Sequence, residues 1–323
     1  MSTFLKVFFL ISVISVSALA ELQQDIEKII ATNQDCKKLG DFYWEIGTNK
    51  GKKISGQVGK TYNANTKMEI ASASKWLFGV YAQEKTKGQL TEEQKEFLQM
   101  RSGYTNMANL PCVMGRVKTV KECFLAKARL KALFGKGSNA ELSSENKGKF
   151  YYNGGHAQAL AVKDEMGLAD KTNETLAQVM QDTLKVSDIE YGFPQLAGGA
   201  KTTAHSYAQF LQNILNDKYY LAKNLQSEKG VCANKNCGSK EVLESPVPAE
   251  LAWWYGNHYW IEKSSTDKVE AYSSPGLFGF YPWVTADKKY YGIIARKGPI
   301  SERGIKSILC GRTIREKFLS EIK

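Results

Sequence analysis

At 323 residues, with 43% hydrophobic and 24% charged positions, the chain can bury a large core. Past its first twenty residues it has no stretch apolar and long enough to span a bilayer. Lysine and arginine outnumber aspartate and glutamate by 44 to 33, a net charge of +11. The basic residues are scattered and no nucleic-acid motif accompanies them, which excludes nucleic acid as a partner and favours a solvated, mixed-charge surface. The charge leaves one further reading open, attraction to anionic wall polymers or membrane surfaces.

The first twenty residues stand apart. Lys6 is their only charge, Val7 to Val16 is apolar, and Ala18-Leu19-Ala20 is a small-x-small site before Glu21. That pattern predicts a signal peptide over 1–20, with an uncleaved anchor as the rival reading. The expected mature chain, 21–323, is periplasmic or secreted and has no transmembrane segment. All six cysteines lie in it. With no CxxC pair and no histidine beside Cys232 and Cys237, disulfides are expected rather than a metal site. Short loops favour Cys112–Cys123 and Cys232–Cys237, which leaves Cys36–Cys310.

In chain order, Leu22 to Ala31 has helical periodicity. Phe42 to Gly47 and Lys53 to Gly59 read as two strands joined at Thr48-Asn49-Lys50-Gly51. A buried helix follows Ser72 to about Lys87, and Thr91 with Gln94 signals the start of another. Residues from about 102 to 220 are mainly helical: Val120 to Leu133, His156 to Met166, Leu176 to Thr183 and Ala204 to Leu215. From Leu251 onward the chain turns aromatic and β-like, with strands expected at Trp253 to Ile261, Lys268 to Tyr272, Phe278 to Val284 and Tyr290 to Ala295. A last helix runs from about Ile300 to Ile322, with a break near Gly304 or Gly311. Strands at both ends with helices between them predict an α+β fold. Its central, mainly antiparallel sheet is built from N- and C-terminal segments, flanked by helices, with the 102–220 region inserted. No independent domains are expected.

Three motifs carry chemistry. In the first, Ser72 and Lys75 are three apart, on one face of a helix entered through apolar Ile70 and Ala71. Such a pair can make a serine nucleophilic without a histidine. Ser144/Lys147, Ser265/Lys268 and Ser320/Lys323 share the spacing but sit in polar surroundings or at the C-terminus. The second motif is Tyr151-Tyr152-Asn153-Gly154-Gly155-His156, before an apolar helix. The third is Ser274-Pro275-Gly276-Leu277-Phe278-Gly279, before an aromatic strand. Singly, each also reads as ordinary structure, a core tyrosine near a turn or a tight turn before an edge strand.

In order, these motifs resemble the serine β-lactamase and penicillin-binding-protein superfamily, nearest its class C and esterase branch, with its S-x-x-K, Y-x-N and K-T-G-like signatures. Pro194-Gln195-Leu196-Ala197-Gly198-Gly199 and the Ser102-Gly103 pair add to the likeness, which covers most of Phe42 to Arg296. The resemblance implies Ser72 as the acylated nucleophile and Lys75 as the group that takes its proton or holds Tyr151 deprotonated. Tyr151, its pKa lowered by nearby lysine charge, would relay a proton. Asn153 would bond Lys75 and a substrate amide, Ser274 and Gly276 would line the substrate site, and the N–H groups of Ser72 and Leu277 would form the oxyanion hole. No metal or cofactor is implied.

One position departs from the pattern. Ser274 stands where the family has Lys or His, and Pro275 has no N–H to offer. A cation for a substrate carboxylate is missing there unless Lys201 or Arg296 supplies it. This favours an exported esterase or amidase over a true β-lactamase or carboxypeptidase. The expected substrates are small molecules or peptides, peptidoglycan-derived or D-amino-acid peptides among them. The alternative from another class is an inactive relative that binds wall fragments or a partner, with Trp253, Trp254, Tyr255, Tyr259 and Trp260 as a groove. The same aromatics read more readily as strand core. Nothing in the sequence sets the oligomeric state.

Overall fold

The computed structural model describes residues 16–107, 110–127, 139–238 and 240–322. Most of the expected leader, the Val120–Leu133 helix beyond residue 127, and Lys323 of the Ser320/Lys323 pair lie outside the described residues.

Among the described residues thirteen strands run in chain order. They are β1 Phe42–Thr48, β2 Gly51–Val58, β3 Met68–Glu69, β4 Phe150–Tyr151, β5 Glu190–Tyr191, β6 Ala200–Thr202 and β7 Val231–Cys232, then β8 Val242–Glu244, β9 Trp254–Tyr255, β10 Trp260–Lys263, β11 Val269–Ser273, β12 Tyr281–Thr285 and β13 Tyr290–Ala295. The main sheet has the order β2-β1-β13-β12-β11-β10-β9-β7, antiparallel throughout. The N-terminal hairpin therefore pairs with the last strand, and the fold is the expected α+β arrangement with helices on both faces.

Side-chain alternation sorts residues to the two faces. Trp44, Ile46, Trp283 and Ile294 face the Val16–Thr32 and Ile305–Glu321 helices, which contribute Leu22, Ile26, Ile30, Ile308, Ile314 and Phe318. Tyr43, Ile293 and Ala295 face the other way, onto the Ser74–Lys85 and Ala204–Leu215 helices with Trp76, Val80 and Phe210. All three expected disulfides are present. Cys36–Cys310 joins segments 274 residues apart and clamps the terminal helices together.

Several expectations change in detail: the His156–Met166 helix ends at Ala161, with a separate 3-10 turn over Asp164–Met166, and the Phe278–Val284 strand begins at Tyr281. The Trp253–Ile261 run is two strands, β9 and β10, because residues 256–259 turn between Tyr255 and its partner Trp260. His258 takes φ +71° there and donates its N–H to the Leu98 carbonyl, 3.0 Å away. The last helix breaks at Gly304, φ +73°, but runs straight through Gly311. A Cβ at Gly311 would fall 2.6 Å from the Tyr281 ring, so glycine there lets helix and sheet approach. The Trp253, Tyr255, Tyr259 and Trp260 side chains are at most 2% exposed and form core. Lys263 covers the Trp254 ring at 3.9 Å.

Two small sheets set up the site. In one, β3-β6-β5, Met68 and Glu69 pair with Thr202 and Lys201. In the other, β4 pairs in parallel with β8.

Candidate active site

β3 delivers the chain to Ser72. Ile70 donates its N–H to the Ala200 carbonyl at 3.1 Å, and Ala71 then takes φ +45°, a left-handed conformation costly for a residue with a Cβ. Ser72 lies in the single 3-10 turn Ala71–Ala73, and the α-helix begins at Ser74. Ser72 thus precedes the helix rather than sitting inside it. Ser74 braces the turn: its hydroxyl donates to the Ala71 carbonyl at 2.6 Å and accepts from the Ala200 N–H at 3.2 Å.

Lys75, one turn on, is 3% exposed. Its Nζ donates to Ser72 Oγ at 2.9 Å and to the Ala197 carbonyl at 3.0 Å. Among the described residues no carboxylate pairs with it. Burial lowers its pKa to about 7, so the neutral amine is well populated near neutral pH.

The phenol beside this pair is that of Tyr152. The Lys75 Nζ lies over its ring, 4.6 Å from the centroid. Burial pushes the Tyr152 hydroxyl up to about 12, against the opposing hydrogen bonds to Ser72 and Trp260. Tyr151 reaches the same cavity wall, but among the described residues its hydroxyl bonds neither Ser72 nor Lys75. The difference is register. Phe150 and Tyr152, two apart, pack their rings tilted against each other and tilted or edge-on against Tyr255 and Trp260, and one step along an extended segment turns Tyr151 to the other side. Tyr151 is held by its backbone, N–H to the Met100 carbonyl at 2.9 Å and carbonyl to His156 Nε2 at 2.9 Å. The expected phenolate beside a charged lysine is replaced by a neutral phenol beside a lysine of depressed pKa.

Asn153 also lines the cavity, yet its Oδ1 accepts from the Gly155 N–H at 2.8 Å rather than from Lys75. Its buried Nδ2 has no partner among the described residues and is available to a substrate carbonyl. Ser72 and Leu277 both border the cavity, and among the described residues neither backbone N–H donates within the protein. Ser274 and Gly276 lie behind the wall. The Ser274 hydroxyl donates to the Ser72 carbonyl at 3.1 Å. A Cβ on Gly276 would fall 2.2 Å from the Ile70 carbonyl, so glycine lets this loop close on the segment that carries Ser72.

Neither proposed substitute cation is free. Arg296 is 4% exposed and bonds Glu302 at 2.8 Å, and Lys201 pairs with Glu69 at 3.4 Å. The cation on the wall is Lys297, 2.9 Å from Glu69, whose carboxyl its hydrogen bond holds down at about 2. Sequence reasoning missed both residues. Glu69 is three places before Ser72 and could have been suspected; Lys297 arrives from the far end of β13 and has no spacing signal. Together these groups border a cavity of about 640 Å³ whose apolar wall includes Met107, Val113, Phe193, Leu277 and Phe278.

No family profile matches the chain, and no curated protein sequence is similar to it. Solved structures are. A β-lactamase from Mycobacterium bovis is 11% identical, over 90% of this chain and 99% of that one, with a TM-score of 0.56. The fold is that of the β-lactamases and penicillin-binding proteins. EstCE1, a hydrolase with promiscuous acyltransferase activity, aligns over 93% of this chain and 98% of its own at 10% identity, TM-score 0.59. Simvastatin synthase (LovD) from Aspergillus terreus aligns over 96% and 100% at 12% identity, TM-score 0.62. The similar structures thus include a β-lactamase, a hydrolase with promiscuous acyltransferase activity and a synthase.

Proposed function

We propose that the protein is an exported serine hydrolase that forms an acyl-enzyme on Ser72. The observation that carries this reading is the buried Lys75 amine 2.9 Å from Ser72 Oγ, with no carboxylate among the described residues to hold its charge. Neutral Lys75 takes the Ser72 proton as Oγ attacks an ester or amide carbonyl. The oxyanion forms against the Ser72 and Leu277 N–H groups, at about 3 kcal/mol for one such donor. Tyr152, a neutral phenol, passes a proton to the leaving group. Water, or an acceptor alcohol, then attacks the acyl-enzyme as Lys75 and Tyr152 run in reverse. Asn153 Nδ2 holds a substrate carbonyl. The leader pattern and three disulfides support export.

Ser274 offers no cation, which favours esters or amides without a carboxylate beside the scissile bond. Lys297 on the wall, although paired with Glu69, is the observation for a β-lactamase instead. A labelled acyl probe tests the mechanism: wild type should be labelled and Ser72→Ala should not, and label persisting on the variant removes it. Turnover of a chromogenic ester but not of a chromogenic cephalosporin supports the esterase reading. A folded protein that turns over neither is a binding relative.

A further inference from the structure

Among the described residues, seven large apolar side chains are at least about a third exposed, and six of them, all but Leu125, lie on the cavity wall or near residues that line it. Val113 and Leu277 are themselves part of the cavity wall. Leu110 and Met114 flank Val113 on and just after the short Leu110–Val113 helix. Ile300 follows cavity-lining Lys297 by three residues, in a segment that the Gly298 N–H ties to the Phe278 carbonyl at 2.7 Å. Leu142 packs toward Gly103, beside cavity-lining Thr105. Val113, Met114 and Ile300 are 52%, 53% and 65% exposed. Isolated surface apolar residues are ordinary; a group of them on and next to one cavity wall marks an interaction site. The Cys112–Cys123 disulfide fixes the Val113 turn to the next helix, so the apolar tip is held out rather than folded in.

The same stretch is basic. Arg116, Lys118, Lys121 and Lys127 are exposed between Leu110 and Lys127, against Glu122 as the only acid. On the cavity wall, Lys297 shares the Glu69 carboxylate with Lys201. Apolar tips among cations suit an anionic lipid surface, where the tips enter the acyl boundary and the charges meet headgroups.

We propose that the cavity mouth docks on an anionic lipid bilayer and draws its acyl donor, a lipid ester, from it. The substrate half rests on the hydrolase reading; the docking half does not. Docking is therefore measured on Ser72→Ala protein, by cosedimentation with vesicles of phosphatidylglycerol and phosphatidylcholine and with phosphatidylcholine alone. The protein should sediment with the anionic vesicles only. Arg116→Glu/Lys118→Glu should weaken this by at least about 25-fold, since each nearby cation contributes about five-fold. Met114→Ser/Ile300→Ser should weaken it about ten-fold or more through lost apolar burial. In the otherwise wild-type chain these two residues are not among those that line the cavity, so cleavage of a soluble acetate ester should be kept. A long-chain ester presented in the vesicles should be cleaved faster by wild type than by this variant.

Absence of sedimentation overturns docking. So does binding unchanged in both variants, which reports only net charge, or binding that charge reversal abolishes and Met114→Ser/Ile300→Ser leaves intact, which is attraction to a polyanion. A stable dimer in sedimentation velocity that Met114→Ser/Ile300→Ser dissolves makes a second copy the occupant instead. If vesicles are bound but no ester of any kind is cleaved, docking stands and the hydrolase reading falls.

Discussion

Replacing Lys75 with methionine should abolish acylation and, at low pH, stabilise the fold. Lys75 is 3% exposed, and burial takes its pKa from 10.5 to about 7. At about 1.4 kcal/mol per unit, keeping it charged in the folded state costs about 5 kcal/mol. The sign follows from proton uptake. Between pH 7 and 10.5 the unfolded chain holds the Lys75 proton and the folded chain has released it, so wild-type stability rises with pH by about 1.4 kcal/mol per unit across that window. Below pH 7 both states are protonated and the full cost applies; above 10.5 it vanishes. Methionine has similar length and no charge. It loses the bonds to Ser72 Oγ and the Ala197 carbonyl, about 1–3 kcal/mol at any pH. Lys75→Met should therefore be more stable than wild type by about 2–4 kcal/mol at pH 6, and less stable above about pH 9. Urea unfolding of both proteins from pH 6 to 10, followed by tryptophan fluorescence, gives the difference directly. Parallel curves, with a gap that does not change with pH, would refute the desolvated lysine and with it the proposed base.

The remaining predictions concern the proton path and the clamp. Tyr152→Phe should lower the acylation rate about 10²–10⁴-fold, the range for losing a positioned acid or base, while Tyr151→Phe stays within a few-fold of wild type; the opposite ranking in stopped-flow acylation would return the role to Tyr151. Acylation should fall about ten-fold per pH unit below pH 7 and level off above it, following Lys75. A rate flat down to pH 5 would show that neutral Lys75 is not required. Removing the Cys36–Cys310 bond by Cys36→Ser/Cys310→Ser should cost about 2–5 kcal/mol, because its 274-residue separation restricts the unfolded chain strongly; an unchanged unfolding midpoint would place its effect elsewhere.

The strongly periodic elements were legible in advance. The Phe42 hairpin, the Thr91 capping box and the Ala204–Leu215 helix all form where local pattern placed them. Where a turn or a close approach overrode the pattern, the reading slipped. The aromatic run after Leu251 hid the turn at residues 256–259, and Gly311 proved to be a packing glycine rather than a break. At the site, the Ser72/Lys75 spacing was readable because both partners lie on one turn of chain.

Choosing between Tyr151 and Tyr152 was not possible from the pattern, since adjacent residues of a strand differ only in which side they face, and packing on Tyr255 and Trp260 selects that side. Local order along the chain, which needs only short-range sterics and hydrophobic period, determined the elements, their α+β arrangement and the serine–lysine pair. Long-range packing alone decided what surrounds that pair. Burial sets the charge of Lys75, Arg296 is drawn away to Glu302, and Lys297 is brought across the sheet, because electrostatics and desolvation depend on neighbours that sequence distance does not reveal.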